Sequence, residues 1–83
     1  MFNSIDLHGC SVSEAKLQLD KYISGLSNNA SEVTVIHGYS SSILANFVRK
    51  QYKHKRVARK ILTMNRGETI LVLKKWQNSI ILF

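Results

Sequence analysis

The chain writes one six-residue pattern twice, HGCSVS from residue 8 and HGYSSS from residue 37, so that His-Gly-x-Ser-x-Ser recurs at a spacing of 29 residues. Each copy follows an apolar run, IDL in the first case and VTVI in the second, and each leads into a Ser-rich helix start. Both therefore mark a corner where a strand ends and a helix begins. A strand, helix and strand in succession most often form a parallel pair with a right-handed crossover. In such a pair both corners fall on the same edge of the sheet, the carboxyl edge where open α/β folds place their ligands.

The segments between the corners fill in the rest. Ser11 and Glu14 have capping-box spacing and predict a helix start, with Val12, Ala15, Leu19, Tyr22, Ile23 and Leu26 as its apolar stripe and Gly25 near its end. EVTVIH reads as the second strand. A second helix is expected to start among Ser40, Ser41 and Ser42, run to about Lys53, and bury Ile43, Leu44, Phe47, Val48 and Gln51 or Tyr52. A strand is expected between Lys55 and Thr63, a turn at NRG, and a well-covered strand at ETILVLKKW. The tail QNSIILF fits either a short added strand or an apolar flap. The expected fold is α/β (α+β): a two-layer β-α-β-α-β-β sandwich with both helices on one face of a mixed four-stranded sheet. It forms a single domain over residues 1–83, with its core at about 3–74 and a tail at 75–83.

An 83-residue chain has room for one small core and no long ligand tunnel. Its lone cysteine, Cys10, cannot form an internal disulfide, and the N-terminus lacks a secretory pattern. A reducing, cytoplasmic setting is the expectation. The most apolar stretch is broken by Lys74, Lys75, Gln77 and Asn78, so no membrane span or membrane partner is expected. The net charge is +7, and no acidic residue falls between Glu32 and Glu68. That window holds Arg49, Lys50, Lys53, Lys55, Arg56, Arg59, Lys60 and Arg66. A flank so charged attracts polyanions, of which nucleic acid is the commonest. These eight residues are the candidates for gripping its backbone.

The corners themselves suit a phosphate. Free N–H groups, the partial positive charge of a helix N-terminus and nearby hydroxyls converge there. Gly9, Ser11, His37, Gly38, Tyr39, Ser40 and Ser41 are the candidate phosphate-binding residues, with Tyr39 able to stack on a base. Capping alone accounts for a Gly-Ser corner equally well. Asp6 adds something capping does not need: two positions from His8, it would share a strand face with it and orient the imidazole. No cysteine or histidine pair has zinc-ligand spacing, and no metal site is assigned.

The segments IDLHGCSVSEA, VTVIHGYSSS and RGETILVL, with the basic helix between them, resemble the Smr (small MutS-related) domain over about residues 3–74. That family carries an L-D-L-H-G motif at its first strand, matched here by Ile5, Asp6, Leu7, His8 and Gly9. Its H-G-x-G motif after the second strand is matched by His37 and Gly38, with Ser40 standing where the family has glycine. The resemblance implies a fold like the C-terminal domain of translation initiation factor 3. It also implies nucleic-acid binding, endonuclease or nicking activity on DNA or RNA, and for some members a role at collided ribosomes. On that basis Asp6 and His8 are the expected catalytic pair. Cleavage of RNA through its 2′-OH needs no cofactor, whereas DNA requires a divalent metal ion or an activated water. A non-catalytic module that docks on nucleic acid or a ribosome is the alternative.

Overall fold

A computed structural model describes residues 3–39 and 42–74. In chain order the elements are β1 (Ser4–Asp6), α1 (Val12–Ser24), β2 (Glu32–Ile36), α2 (Ser42–Asn46), a π-helical turn (Phe47–Gln51), β3 (Val57–Leu62) and β4 (Glu68–Leu73). The sheet order is β1-β2-β4-β3. β1 and β2 are parallel, with Asp6 opposite Ile36, and the other pairings are antiparallel. This is a mixed four-stranded α+β fold with the two expected corners on one edge.

Alternation along β2 and β4 selects the inner face. Val33, Val35, Leu71 and Leu73 are buried there against Ala15, Leu19 and Ile23 of α1 and Leu44, Phe47, Val48 and Tyr52 from the second helical segment. Residues from both helical segments belong to this one cluster, so both cover the same face of the sheet. The capping box forms as its spacing predicts: Ser11 Oγ accepts the Glu14 N–H at 3.1 Å, and Glu14 Oε1 accepts the Ser11 N–H at 2.9 Å.

The second helical segment departs from expectation in two ways. Ile43 is exposed, because the inward side is taken by Leu44, Phe47 and Val48. The segment also ends at Gln51 in a widened turn, in which the Tyr52 N–H reaches back five residues to the Phe47 carbonyl at 2.7 Å. That extra residue per turn brings Tyr52, not Gln51, beneath Phe47, with ring centroids 5.8 Å apart in an edge-to-face arrangement. The Tyr52 hydroxyl then donates to Asp20 Oδ1 at 2.7 Å and pins the segment to α1.

β3 is two residues shorter at its start than expected, and a register shift between Val57 and Arg59 bulges it. The bulge breaks the period-2 pattern, which is why its periodicity is weak in the sequence. The expected continuation of the last strand through Trp76, the tail QNSIILF, and the residues Ser40 and Ser41 lie outside the described residues.

Candidate functional site

The first corner is a turn, not the end of a strand. β1 stops at Asp6, and the Cys10 N–H donates to the Leu7 carbonyl at 3.0 Å, closing a β-turn over residues 7–10. Gly9 occupies its third position with φ of 83°. A type II turn needs such a positive φ there, and glycine supplies it without steric cost. Asp6 Oδ1 accepts two hydrogen bonds from residue 8, from the backbone N–H at 3.0 Å and from ring Nδ1 at 2.6 Å. The strand-face explanation for the Asp6–His8 pairing is thus corrected. The carboxylate turns the chain and then captures the ring that the turn delivers. These bonds from His8 hold the Asp6 carboxyl below its usual range. Both side chains stay exposed, 72% for His8 and 52% for Asp6.

Gly38, at φ of 86°, repeats the backbone conformation of Gly9, but the second corner is built differently. The His37 and Gly38 N–H groups both donate to the Gly67 carbonyl, at 2.9 and 3.1 Å, so this corner hangs from the β3–β4 turn. A Cβ added to Gly38 would lie 3.2 Å from the His8 Cβ. The two corners therefore touch, and glycine is required at the second one for space as well as for conformation.

The two histidines of the repeat have different fates. The His37 ring is only 3% exposed, with Nε2 3.0 Å from Thr69 Oγ1 and Nδ1 3.4 Å from the Gly38 carbonyl. Thr69 Oγ1 also accepts the Arg49 Nε–H at 2.7 Å. Assigning the ring proton to Nδ1 satisfies all three groups: Nδ1–H points to the carbonyl, Nε2 accepts the threonine proton, and the threonine lone pair takes the arginine. His37 is a neutral bolt between the second corner and β4, and the expectation that its ring binds phosphate is corrected by its burial.

Burial pushes the His37 pKa down, as it does for His54, whose Nδ1 accepts the Arg56 N–H at 3.1 Å. For a depressed histidine the unfolded chain takes up the proton first. Stability is then complete above the unfolded pKa near 6.5 and is lost as pH falls below it. The urea midpoint is expected to drop between pH 7.5 and 5.5, with a smaller drop in His37→Gln. An identical drop in wild type, His37→Gln and His54→Gln would refute this assignment.

The remaining phosphate candidates divide similarly. Ser11 Oγ is engaged in the α1 cap, and the Glu14 carboxylate already sits over that helix N-terminus, where it disfavours a second anion. The Tyr39 hydroxyl donates to Asn65 Oδ1 at 2.7 Å, so its phenol is committed while its ring, 75% exposed, is not. Among the described residues, Gly9, Gly38 and the Tyr39 ring, beside the Asp6–His8 pair, are what this edge offers a ligand.

Of the eight candidate cations, Arg56 is corrected outright. It is 5% exposed, and its guanidinium donates to the carbonyls of Ile23, Leu26 and Ser27 at 2.6, 2.9 and 2.8 Å. It caps the C-terminal end of α1. Arg49 is fastened to Thr69 and to the Glu68 carbonyl at 2.9 Å. Lys60 Nζ donates to the Tyr52 carbonyl at 2.6 Å, and burial, helped by nearby Lys53, lowers its pKa. Lys50, Lys53, Lys55, Arg59 and Arg66 are exposed. Lys50, Lys53, Arg59 and Lys60 converge on a groove of about 410 Å³ between the end of the π-helical turn and edge strand β3. The basic flank is real, but it is narrower than the charge run suggests.

Three residues of this region escaped sequence reasoning. Asn65 Oδ1 accepts both the Tyr39 hydroxyl and the Gly67 N–H, the latter at 2.9 Å; the Gly67 carbonyl anchors the second corner; Thr69 joins His37 to Arg49. The NRG signal gave the turn but not its task. Among the described residues, no three His, Cys, Asp or Glu side chains gather as metal ligands, and no helix is long and apolar enough to cross a membrane.

Comparison with curated proteins and with solved structures gave no match. The family model of the Smr domain matches residues 5–69, well over half of the 83 residues, and it takes in both glycine corners, the Asp6–His8 pair and the whole basic window. The chain belongs to the Smr domain family.

Proposed function

We propose that this Smr-domain chain binds nucleic acid and cleaves RNA at the exposed Asp6–His8 pair. The observation that carries the reading is the 2.6 Å contact between Asp6 Oδ1 and His8 Nδ1 on an open edge, directly against Gly38 of the second corner. With Nδ1–H donated to the carboxylate, Nε2 keeps its lone pair and faces outward as a general base. It takes the proton of a ribose 2′-OH; the 2′-oxygen attacks the adjacent phosphorus; the bond to the 5′-oxygen breaks, and that oxygen takes a proton from water. The products are a 2′,3′-cyclic phosphate and a 5′-hydroxyl.

This route suits the donor set. Attack by the ribose 2′-OH needs no metal ion, and among the described residues no three His, Cys, Asp or Glu side chains gather as metal ligands beside Asp6 and His8. The proposed setting is cytoplasmic, where the half-buried Cys10 thiol stays reduced. A non-catalytic binding module is favoured by one observation, the burial of His37, which leaves the second corner without a ring to protonate the leaving oxygen.

Labelled RNA incubated with the protein in EDTA is expected to be cut, leaving cyclic phosphate ends; binding without cutting would establish the non-catalytic module instead. Backbone contacts are read from salt. Replacing Lys50, Lys53 and Arg59 by alanine should reduce the slope of log affinity against log salt by about two units, since each phosphate contact contributes roughly 0.7–0.9. An unchanged slope places the nucleic acid on another face.

A further inference from the structure

Tyr39 has an environment that neither capping nor packing explains. Its ring is 75% exposed, yet its outer end is engaged at two points. The hydroxyl is tethered to Asn65, and the ring edge lies so close to Gly67 that a Cβ there would come within 3.3 Å of Tyr39 Cε2. Asn65 is fixed in turn by Thr63, whose Oγ1 accepts the Asn65 N–H at 3.1 Å. An exposed aromatic normally gains nothing from being ordered, because ordering costs rotamer entropy without burying surface. A preformed flat platform does gain when something stacks on it.

The platform forms part of a cleft of about 530 Å³, whose lining includes Gly38, Ala45, Asn46, Arg49 and Arg66 and no acidic residue. Arg66 is exposed and able to meet a phosphate, and Asn46 is exposed at its rim. Its side chain makes no capping hydrogen bond to the π-helical turn, so its amide can meet a base edge. The other end of the cleft, at Gly38, abuts His8.

We infer that this cleft takes one unpaired nucleotide of the RNA, its base stacked on Tyr39 and its phosphate beside Arg66, so that a neighbouring phosphodiester is presented to the Asp6–His8 pair. A base within a duplex has both faces covered by its neighbours and cannot use the platform; an unpaired base can. The site therefore selects single-stranded or unstacked RNA. The inference deepens the nuclease reading and rests on it.

The test uses a short labelled RNA methylated at its 2′-oxygens, so that it cannot be cut, as a single strand and as a duplex. Wild type is expected to favour the single strand, and Tyr39→Ala should lower the single-strand to duplex affinity ratio about tenfold, as loss of one stacked base does. Tyr39→Phe, which keeps the ring and loses only the tether, should stay within about threefold of wild type, which separates stacking from a folding defect. If wild type binds RNA and the ratio is unchanged in Tyr39→Ala, the inference fails and the nuclease reading stands. If wild type binds neither form, both fail.

Discussion

Arg56→Ala is expected to bring the protein close to unfolding, with a loss of about 3–5 kcal/mol against a total of roughly 5–15 for a domain of this kind. The size of the effect follows from what the guanidinium does. α1 ends at Ser24, and Gly25 at its C-cap has φ of −87° and not the left-handed conformation that commonly satisfies terminal carbonyls. The carbonyls of Ile23, Leu26 and Ser27 are met instead by Arg56, from about thirty residues away in sequence. Truncation leaves the Leu26 carbonyl without its donor and the Ile23 and Ser27 carbonyls with only the backbone N–H groups of Leu26 and Ala30, opens a cavity where the buried side chain lay, and removes a positive charge from the negative end of a helix dipole. The melting temperature should fall by about 15 °C or more. Arg56→Lys keeps the charge but not the planar fork, and should recover only about half of the loss. Arg59→Ala, exposed on β3, should shift stability by less than about 0.5 kcal/mol. Equal melting temperatures for Arg56→Ala and Arg59→Ala would remove Arg56 from this structural role.

The contrast between Arg56 and Arg59 shows where sequence reading stops. Both stand in one run, KRVARK, and a charge run reads as a solvated face. Which arginine turns inward depends on where the end of α1 lies in space, a long-range fact that no local pattern carries. The π-helical turn was hidden for a related reason: Leu44, Phe47 and Val48 obey ordinary helical spacing, and only the packing of Tyr52 against Phe47 and Asp20 reveals the extra residue. The glycine corners were legible because the backbone conformation they need is a property of the residue itself; Gly9 and Gly38 both have positive φ, as the repeat suggests. The repeat misled at its histidines. Equivalent letters promised equivalent roles, but His37 precedes a corner hung from Gly67 and faces the core, whereas His8 lies within a turn and faces solvent.

That asymmetry sets the second large effect. If His8 is the base, His8→Ala should slow RNA cleavage by about 10²–10⁴, the usual contribution of a positioned general base, while affinity for uncut RNA changes by less than about threefold. Asp6→Asn should act differently. The amide oxygen can still accept the His8 N–H and preserve the turn, but it carries no charge and competes with its own amide face for Nδ1, so the ring loses its fixed tautomer. A fall of about tenfold to a hundredfold is expected, smaller than for His8→Ala because the ring remains in place. The carboxyl of Asp6 is held below its usual range mainly by the side-chain bond from His8, so the wild-type pair persists until the pH falls through that depressed value. The stabilising contribution of the bond is complete above the unfolded carboxyl pKa and is lost on the acid side of it. Loss of cleavage in Asp6→Asn should accordingly be present across the neutral range. Equal rates for wild type and His8→Ala would show that the cutting, if any is seen, belongs to other residues, and would reduce the Asp6–His8 contact to the closure of a turn.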